Sequence, residues 1–111
     1  MFISKPWGSE EIIEKNDSYM FKKLNMSKGH RCSLQYHNNK RETIFVVSGE
    51  LKIYKGDSQE NLISKIYYPG DYVTLSPGVV HRMEATSDCV YLEASTPEID
   101  DVVRLSDDYQ R

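Results

Sequence analysis

The sequence predicts an all-β domain, either a sandwich or a barrel, and three observations lead to this prediction. Short runs of alternating apolar and polar residues recur along the chain, separated by clusters of Gly, Pro, Asn, Asp and Ser. No segment keeps a helical period over about twelve residues. Eight tyrosines add to the β propensity. About ten short strands in one small domain are typical of these two architectures.

Each predicted strand is an alternating or apolar run that ends at a turn signal. In chain order the strands are Glu11–Glu14, Tyr19–Met26, Cys32–Tyr36, Thr43–Val47, Glu50–Tyr54, Leu62–Tyr67, Tyr72–Leu75, His81–Ala85, Val90–Ala94 and Asp101–Leu105. The turn signals between them are Lys15–Ser18, Ser27–Gly29, Asn38–Lys40, Ser48–Gly49, Lys55–Glu60, Pro69–Asp71, Ser76–Gly78 and Thr86–Asp88. The run Ile44–Val47 is apolar on both faces, which predicts a strand covered on both sides.

Length and composition limit the classes of protein to consider. The 111 residues suit one domain, residues 1–111, with one core, and 39% apolar with 28% charged residues is an ordinary globular composition. A net charge of −3 gives no basic field for nucleic acid. No apolar run is long enough to cross a membrane and no leader opens the chain, so we expect a cytoplasmic protein. Cys32 and Cys89 are then expected to be buried, reduced thiols.

Polar side chains crowd one pair of predicted strands. Alternation puts Ser33, Gln35 and His37 on one face, and the Asn38–Lys40 turn allows the strand Thr43–Val47 to fold back beside them as a hairpin. That pairing would bring the carboxylate of Glu42 next to the amide and the imidazole. The alternative is a solvated hairpin face with no ligand.

A second imidazole comes from the other half of the chain. His81 opens a strand directly after the Ser76–Gly78 turn, a position from which it can reach a cavity mouth. Two imidazoles, one carboxylate and one amide oxygen suit a divalent ion such as Zn, Mn, Fe, Co or Ni. Four protein ligands on a six-coordinate ion would leave two positions for substrate or water.

These residues also carry a family resemblance. The pattern Gly29-(x5)-Gln35-x-His37-(x4)-Glu42-(x6)-Gly49 resembles the first cupin motif, and Gly70-(x6)-Pro77-Gly78-(x2)-His81 resembles the second. Four segments look like the type II mannose-6-phosphate isomerase domain: KPWGSEE at Lys5–Glu11, KKLNMSKGHRCSLQYH at Lys22–His37, SPGVVHRME at Ser76–Glu84 and DDVVRLSDDYQR at Asp100–Arg111.

The resemblance implies a cupin, a jelly-roll type β-barrel, with a divalent metal ion, Zn first, held by Gln35, His37, Glu42 and His81. It also implies aldose–ketose isomerisation of mannose 6-phosphate. The family commonly reads His-His-His-Arg-x-Glu-His-Trp where this chain has HNNKRETI from His37. The ligand positions survive this change, and another sugar or sugar phosphate stays open as the substrate.

Isomerisation also needs a base and an anchor for the phosphate. Glu93 is a candidate base if its strand turns it inward, where burial would raise its pKa, and the outward orientation is equally open. His30 is a second candidate, on a turn more typical of solvent. Arg104 is the first candidate for the phosphate, with an ion pair to Asp107 or Asp108 as its alternative role. Lys22 is a further candidate.

Arg82 ranks lower, because alternation turns it away from His81. Three functions remain open on the sequence: a metal-dependent sugar-phosphate isomerase, a sugar- or sugar-nucleotide-binding cupin without turnover, and a non-haem Fe(II) dioxygenase. We expect a small-molecule sugar phosphate as partner, no nucleic acid and no membrane. A homodimer is also expected, through spare apolar residues of the N-terminal strands, namely Ile12, Ile13, Tyr19 and Phe21.

Overall fold

The computed structural model describes residues 1–98 and 100–109, and that part of the chain forms eleven strands and no helix. It therefore contains no helix long and apolar enough to cross a membrane. The strands are β1 (Phe2–Lys5), β2 (Gly8–Lys15), β3 (Met20–Met26), β4 (Leu34–Tyr36), β5 (Glu42–Ser48), β6 (Leu51–Gly56), β7 (Ile63–Tyr67), β8 (Tyr72–Leu75), β9 (Val80–Ala85), β10 (Cys89–Ser95) and β11 (Val103–Ser106). The all-β prediction is confirmed.

The strands form two antiparallel sheets that enclose one core. The six-stranded sheet has the order β1-β2-β3-β10-β5-β8, and the five-stranded sheet has the order β11-β4-β9-β6-β7. Buried apolar side chains from both sheets fill the space between them, among them Leu24, Ile44, Leu51, Met83 and Tyr91. Complete burial of such a side chain stabilises the fold by about 1.5–3 kcal/mol. Cys32 and Cys89 are buried and free, as expected.

One end of this interior is charged. Residues two apart on a strand face the same side, so a position two residues from an apolar core position also points inward. On β5, β3 and β10 these positions hold Glu42, Lys22 and Glu93, and all three are buried. Glu93 lies directly opposite Lys22 across the β10–β3 ladder. The sheets therefore carry an apolar core at one end and a group of buried ionisable side chains at the other.

The N-terminal hairpin differs from the prediction. β2 begins at Gly8 rather than Glu11, and Phe2–Lys5 forms an additional strand that pairs with it, with Lys5 opposite Gly8. The side chain of Trp7 in the intervening turn is buried in the core. Four residues of mixed polarity at a sheet edge show no clear alternation, so the sequence pattern gives no signal for β1.

The hairpin predicted from Cys32–Tyr36 and Thr43–Val47 is wrong. β4 covers only Leu34–Tyr36 and lies in the five-stranded sheet between β11 and β9, whereas β5 lies in the six-stranded sheet. The residues between them, 37–41, cross from one sheet to the other. A short polar segment has the same composition in a hairpin and in such a crossing, so the sequence does not distinguish them. Glu42 therefore approaches His37 across the interior instead of along a ladder.

Candidate metal centre

Three potential ligands meet inside the charged end of the barrel. His37 follows β4, Glu42 begins β5 and His81 is the second residue of β9. Nε2 of His81 lies 3.1 Å from Oε1 of Glu42, and Nε2 of His37 lies 3.6 Å from the same oxygen. The three donor atoms lie within 4.8 Å of one another, and all three residues are buried. The sequence prediction that these groups converge agrees with this geometry.

The hydrogen bonds of the two imidazoles fix where their protons lie. Nδ1 of His37 donates to the backbone carbonyl of Asp101 at 2.5 Å, and Nδ1 of His81 donates to the carbonyl of Val79 at 3.0 Å. A carbonyl oxygen can only accept, so Nδ1 carries the proton in both rings. In a neutral ring the lone pair is then on Nε2, the atom that faces Glu42. This arrangement is typical of histidines that bind metal through Nε2.

The residues fit a divalent metal ion. Both Nε2 atoms are buried and have no hydrogen-bond partner within the described residues. Two nitrogen lone pairs that face one carboxylate oxygen repel it, and a cation between the three donors removes that repulsion. Two imidazoles and a carboxylate are ligands that Zn, Mn, Fe, Co and Ni accept. The donor set therefore has the chemistry and the unsatisfied atoms of a metal site.

The charges around Glu42 keep its carboxylate ionised. Burial alone would raise its pKa, but contacts with His37 and His81 and the positive charge of Lys40 hold the pKa well below its usual range. For His37, burial lowers the pKa, but the close negative charge of the Glu42 carboxylate outweighs burial, and the pKa is raised. An ionised carboxylate is the form that binds a metal ion.

Gln35 lies beside this cluster. On β4 it stands opposite His81 of β9 on one side and opposite Arg104 of β11 on the other. Its amide oxygen accepts a hydrogen bond from the hydroxyl of Ser33 at 2.8 Å. An amide oxygen has two lone pairs, so one remains for a further partner. Gln35 thus stands beside His81 with one lone pair unused, and its role as a fourth ligand stays a prediction.

A cavity of about 370 Å³ opens next to the cluster. Its wall comprises Ile3, Lys5, Glu10, Lys22, Gln35, Lys40, Asp100, Val102 and Arg104. Lys40 connects the cavity to the three-donor cluster, since its Nζ lies 3.8 Å from Oε2 of Glu42. Four of the lining residues are cationic and two, Glu10 and Asp100, are acidic, and this excess of positive charge favours an anionic ligand.

The two inner cations are already paired with buried carboxylates. Nζ of Lys40 lies 3.5 Å from Oε2 of Glu93, and Nζ of Lys22 lies 3.0 Å from Oε1 of Glu10 and 3.9 Å from Oε2 of Glu93. Burial and the nearby charge of Glu42 raise the pKa of Glu93 to about 7, against the opposing effect of the two lysines. Of the two orientations left open for Glu93, the structure has the inward one. Glu93 is not part of the cavity wall.

Sequence reasoning missed Lys5, Glu10 and Lys40 at this site. Lys40 falls in a segment that the sequence assigns to a solvated turn, yet its side chain is buried. Lys5 and Glu10 belong to the N-terminal hairpin, most of which the pattern did not reveal. The resemblance supplied the only available signal, because Lys5 and Glu10 lie in the family-like segment Lys5–Glu11.

The remaining candidates fall in two places. Arg104 lines the cavity, and Asp108, offered as its alternative partner, contacts Arg31 and Arg82 instead. Arg82 lies away from the cavity, where its Nε donates to the carbonyl of Cys32 at 2.9 Å. Nδ1 of His30 lies 2.6 Å from the hydroxyl of Tyr109, also outside the cavity wall. Strand alternation explains the position of the Arg82 side chain: Arg82 follows His81 on β9 and therefore faces the other side of the sheet.

Two antiparallel sheets that enclose a buried His/Glu/His cluster define a cupin. Solved structures share this fold: the capsular polysaccharide assembling protein CapF from Staphylococcus aureus matches with a TM-score of 0.83 and 20% identity over 96% of this chain and 34% of that chain. An RmlC-like cupin from Shewanella frigidimarina matches with a TM-score of 0.78 and 19% identity over 90% of this chain and 86% of that chain.

The chain belongs to the family described as mannose-6-phosphate isomerase C-terminal, whose model matches residues 1–107. It is 28% identical over 114 residues to the xanthan biosynthesis protein XanB of Xanthomonas campestris pv. campestris (strain B100), covering 98% of this chain and 23% of XanB. It is 29% identical over 115 residues to a mannose-1-phosphate guanylyltransferase of Escherichia coli (strain K12), covering 98% of this chain and 23% of that enzyme. The chain thus spans about a quarter of the length of these relatives.

Proposed function

We propose that this cupin is a metal-dependent aldose–ketose isomerase of a sugar phosphate, with mannose 6-phosphate as the first candidate substrate. The observation that carries the proposal is the buried His37/Glu42/His81 cluster, with both Nε2 atoms unpartnered, beside a cavity rich in cations. Membership of the mannose-6-phosphate isomerase C-terminal family supports the reaction class.

The reaction moves a proton between the two carbons at the end of the sugar. A divalent ion held by Gln35, His37, Glu42 and His81, Zn first, would polarise the carbonyl and hydroxyl oxygens on those carbons. The Nδ1–H bonds of the two histidines orient their Nε2 atoms toward Glu42, where they would bind the ion. Gln35 lines the cavity and also lies on the strand beside His81. As a ligand it would place the ion next to the cavity wall that the sugar contacts.

For the proton transfer we propose Glu93 as the base. It is buried and touches Lys22 and Lys40, which both line the cavity. Glu10 and Asp100 are carboxylates that line the cavity itself, and Lys22 contacts both Glu10 and Glu93. The variants Glu93→Gln and Glu10→Gln separate the two: loss of the base should lower kcat by about 100-fold or more, whereas loss of a positioning contact should act mainly on KM.

For the phosphate we propose Arg104 together with Lys5. Both line the cavity, and within residues 1–98 and 100–109 neither has an ion-pair partner, unlike Lys22 and Lys40. Arg104→Met and Lys5→Met should each raise KM for a sugar phosphate. Lys15→Met, an exposed lysine of the same hairpin outside the cavity wall, is the matched control and should leave KM unchanged.

The experiment combines metal analysis with an isomerase assay. Purified protein is analysed for bound metal, then assayed for conversion of mannose 6-phosphate to fructose 6-phosphate with added Zn, Mn, Co, Ni or Fe, and again with a chelator. We expect activity that the chelator abolishes and the metal restores. His81→Ala should lose both the ion and the activity. A fully metal-loaded protein that converts none of a panel of hexose phosphates would remove the proposal.

A sugar- or sugar-nucleotide-binding cupin without turnover is the second candidate. Lys40 favours it, because an ammonium group 3.8 Å from Glu42 already supplies positive charge where an ion would bind. The relatives that the chain matches are mannose-1-phosphate guanylyltransferases and XanB, of which it represents one part. Tight binding of a sugar phosphate or sugar nucleotide without conversion, in excess metal, would support this function. Oxygen uptake that depends on Fe(II) would instead indicate the dioxygenase. The proposed fourth ligand, Gln35, argues against it.

The homodimer and the cytoplasmic location stay predictions. Among the residues expected at a dimer surface, Ile13 and Tyr19 are 48% and 50% exposed. Phe45 and Tyr72 extend the apolar outer face of the same sheet. We propose a second copy of this chain as the partner of that face, which sedimentation of the wild type and of Phe45→Lys tests. Two buried free thiols support a reducing compartment.

A further inference from the structure

Asp101 contacts the crossing segment through four hydrogen bonds. Its carboxylate accepts from the backbone amides of Asn38 at 3.1 Å, Asn39 at 2.6 Å and Lys40 at 2.8 Å. Its backbone carbonyl accepts from Nδ1 of His37 at 2.5 Å. Asp101 therefore accepts hydrogen bonds from four consecutive residues that lie more than sixty positions earlier in the chain.

We propose that Asp101 is a positioning residue that builds the metal site, through its carbonyl on the His37 ring and its carboxylate on the segment that joins His37 to Glu42. The inference rests on the proposed metal site. Asp101 itself touches none of the three donor atoms of the cluster: it acts through the residues that carry them.

The position of the segment explains why it needs this support. Residues 37–41 cross between the two sheets, so the amides of Asn38, Asn39 and Lys40 have no ladder partners. Unpaired amides leave a short segment free to adopt several conformations. The segment carries His37 at one end and leads into Glu42 at the other, so its conformation sets the distance between two proposed ligands. Bonds from amides to an ionised carboxylate are stronger than neutral ones and hold that conformation.

The two contacts of Asp101 have different consequences. The bond from Nδ1 of His37 to the carbonyl keeps the proton on Nδ1 and the lone pair on Nε2, as a ligand requires. A side-chain substitution keeps the carbonyl group but removes the three amide bonds that hold Asp101 against the segment, so the bond to the His37 ring loses its fixed geometry as well. Asp101→Ala thus tests the hold on the segment. Asp101→Asn is the milder variant, because it keeps one acceptor oxygen and places donors beside the amide hydrogens.

The experiment measures metal affinity and coordination rather than activity. Metal-free wild type, Asp101→Asn and Asp101→Ala are titrated with Co(II) and with Zn(II) against a competing chelator, and the Co(II) absorption spectrum is recorded. Loss of a residue that orients metal ligands weakens affinity by about 10–100-fold. We expect a loss of that size for Asp101→Ala, a smaller one for Asp101→Asn, and a changed Co(II) spectrum.

Asp71→Ala is the control for a general loss of stability. The carboxylate of Asp71 accepts from the amide of Tyr68 at 2.9 Å in a turn beside Val46, at the far end of β5 from Glu42. The variant Asp71→Ala should lower thermal stability but leave the metal affinity and the Co(II) spectrum unchanged. Wild-type affinity and spectrum in Asp101→Ala, or an equal loss of affinity in Asp71→Ala, would overturn the inference.

A second measurement needs no metal. Nitrogen–proton correlation spectra of the metal-free protein report which ring nitrogen of His37 carries the proton. The wild type should show the Nδ1–H form, and Asp101→Ala should show a mixture or a mobile ring. If the wild type takes up no ion, the proposed function fails while this spectrum still decides the role of Asp101: an unchanged His37 signal in Asp101→Ala would refute it.

Discussion

Replacing Glu93 by glutamine should change how the stability of the metal-free protein depends on pH. Burial and the charge of Glu42 raise the pKa of Glu93 from 4.5 to about 7 in the folded protein. At low pH the group is protonated in both the folded and the unfolded chain. As the pH rises past about 4.5, the unfolded chain ionises while the folded protein keeps its proton, so stability falls until the pH passes about 7.

The size of the effect follows from the shift. One pKa unit corresponds to about 1.4 kcal/mol, so the rise from 4.5 to about 7 is worth about 3 kcal/mol. Glutamine does not titrate and lacks this loss. The free energy of unfolding of the wild type, relative to that of Glu93→Gln, should therefore fall by about 3 kcal/mol between pH 4.5 and pH 8. For a domain of this size that corresponds to roughly 10–15 °C in Tm.

Urea denaturation of the wild type and of Glu93→Gln, with chelator present, measures the difference between their free energies of unfolding at each pH. Glu60→Gln, in an exposed loop, corrects for the loss of one carboxylate at the surface. The reasoning is refuted if the difference between wild type and Glu93→Gln stays constant with pH. It is also refuted if the wild type gains relative stability as the pH rises, because Lys22 and Lys40 would then dominate over burial and Glu42.

Three further predictions concern other parts of the fold. Contact with Arg31 lowers the pKa of Asp108, so its ion pairs stabilise the protein above about pH 4. Asp108→Asn should therefore destabilise the protein at neutral pH, and this loss should disappear as the pH falls through the lowered pKa. Unfolding measured over a range of acid pH values tests this. Tyr91 is fully buried and its hydroxyl has no partner within the described residues, so Tyr91→Phe should leave the free energy of unfolding unchanged or raise it by about 1 kcal/mol; a large loss in urea denaturation would contradict this. Gly49 has φ of +76° and an added Cβ would lie 2.1 Å from a backbone oxygen, so Gly49→Ala should cost more than about 3 kcal/mol of folding free energy. Gly70 has φ of +92° but open space around it, so Gly70→Ala should cost only about 1–2 kcal/mol. Equal Tm values for the two variants would be inconsistent with this steric argument.

The proposed metal-binding residues could be found from the sequence because strand alternation is a local property. It placed Gln35 and His37 on one face, separated Arg82 from His81, and the turn before β9 put His81 at the cavity end of its strand. The route by which Glu42 joins them could not be found. Whether two neighbouring strands pair or cross to opposite sheets depends on the rest of the barrel, and the polar segment between them is compatible with both.

The remaining site residues lacked any local signal. Lys40 and Glu10 are charged residues next to turns or sheet edges, where such residues are usually solvated, and only the packing of two sheets buries them. Asp101 was assigned to a strand, and its four bonds join segments that are far apart in sequence. Contacts of that range depend on topology, which alternation within one strand does not contain.

The bond between Asp101 and His37 has a consequence for synthesis on the ribosome. His37, Glu42 and His81 have all been made when residue 81 has been added, yet the acceptor for the His37 ring comes twenty residues later. At about 5–20 residues per second, the nascent chain spends roughly 1–4 s with both imidazoles and the carboxylate already made but Asp101 not yet added. During that interval an ion at the proposed site would be held by an incomplete set of contacts, so tight metal binding would require that residue 101 has been added.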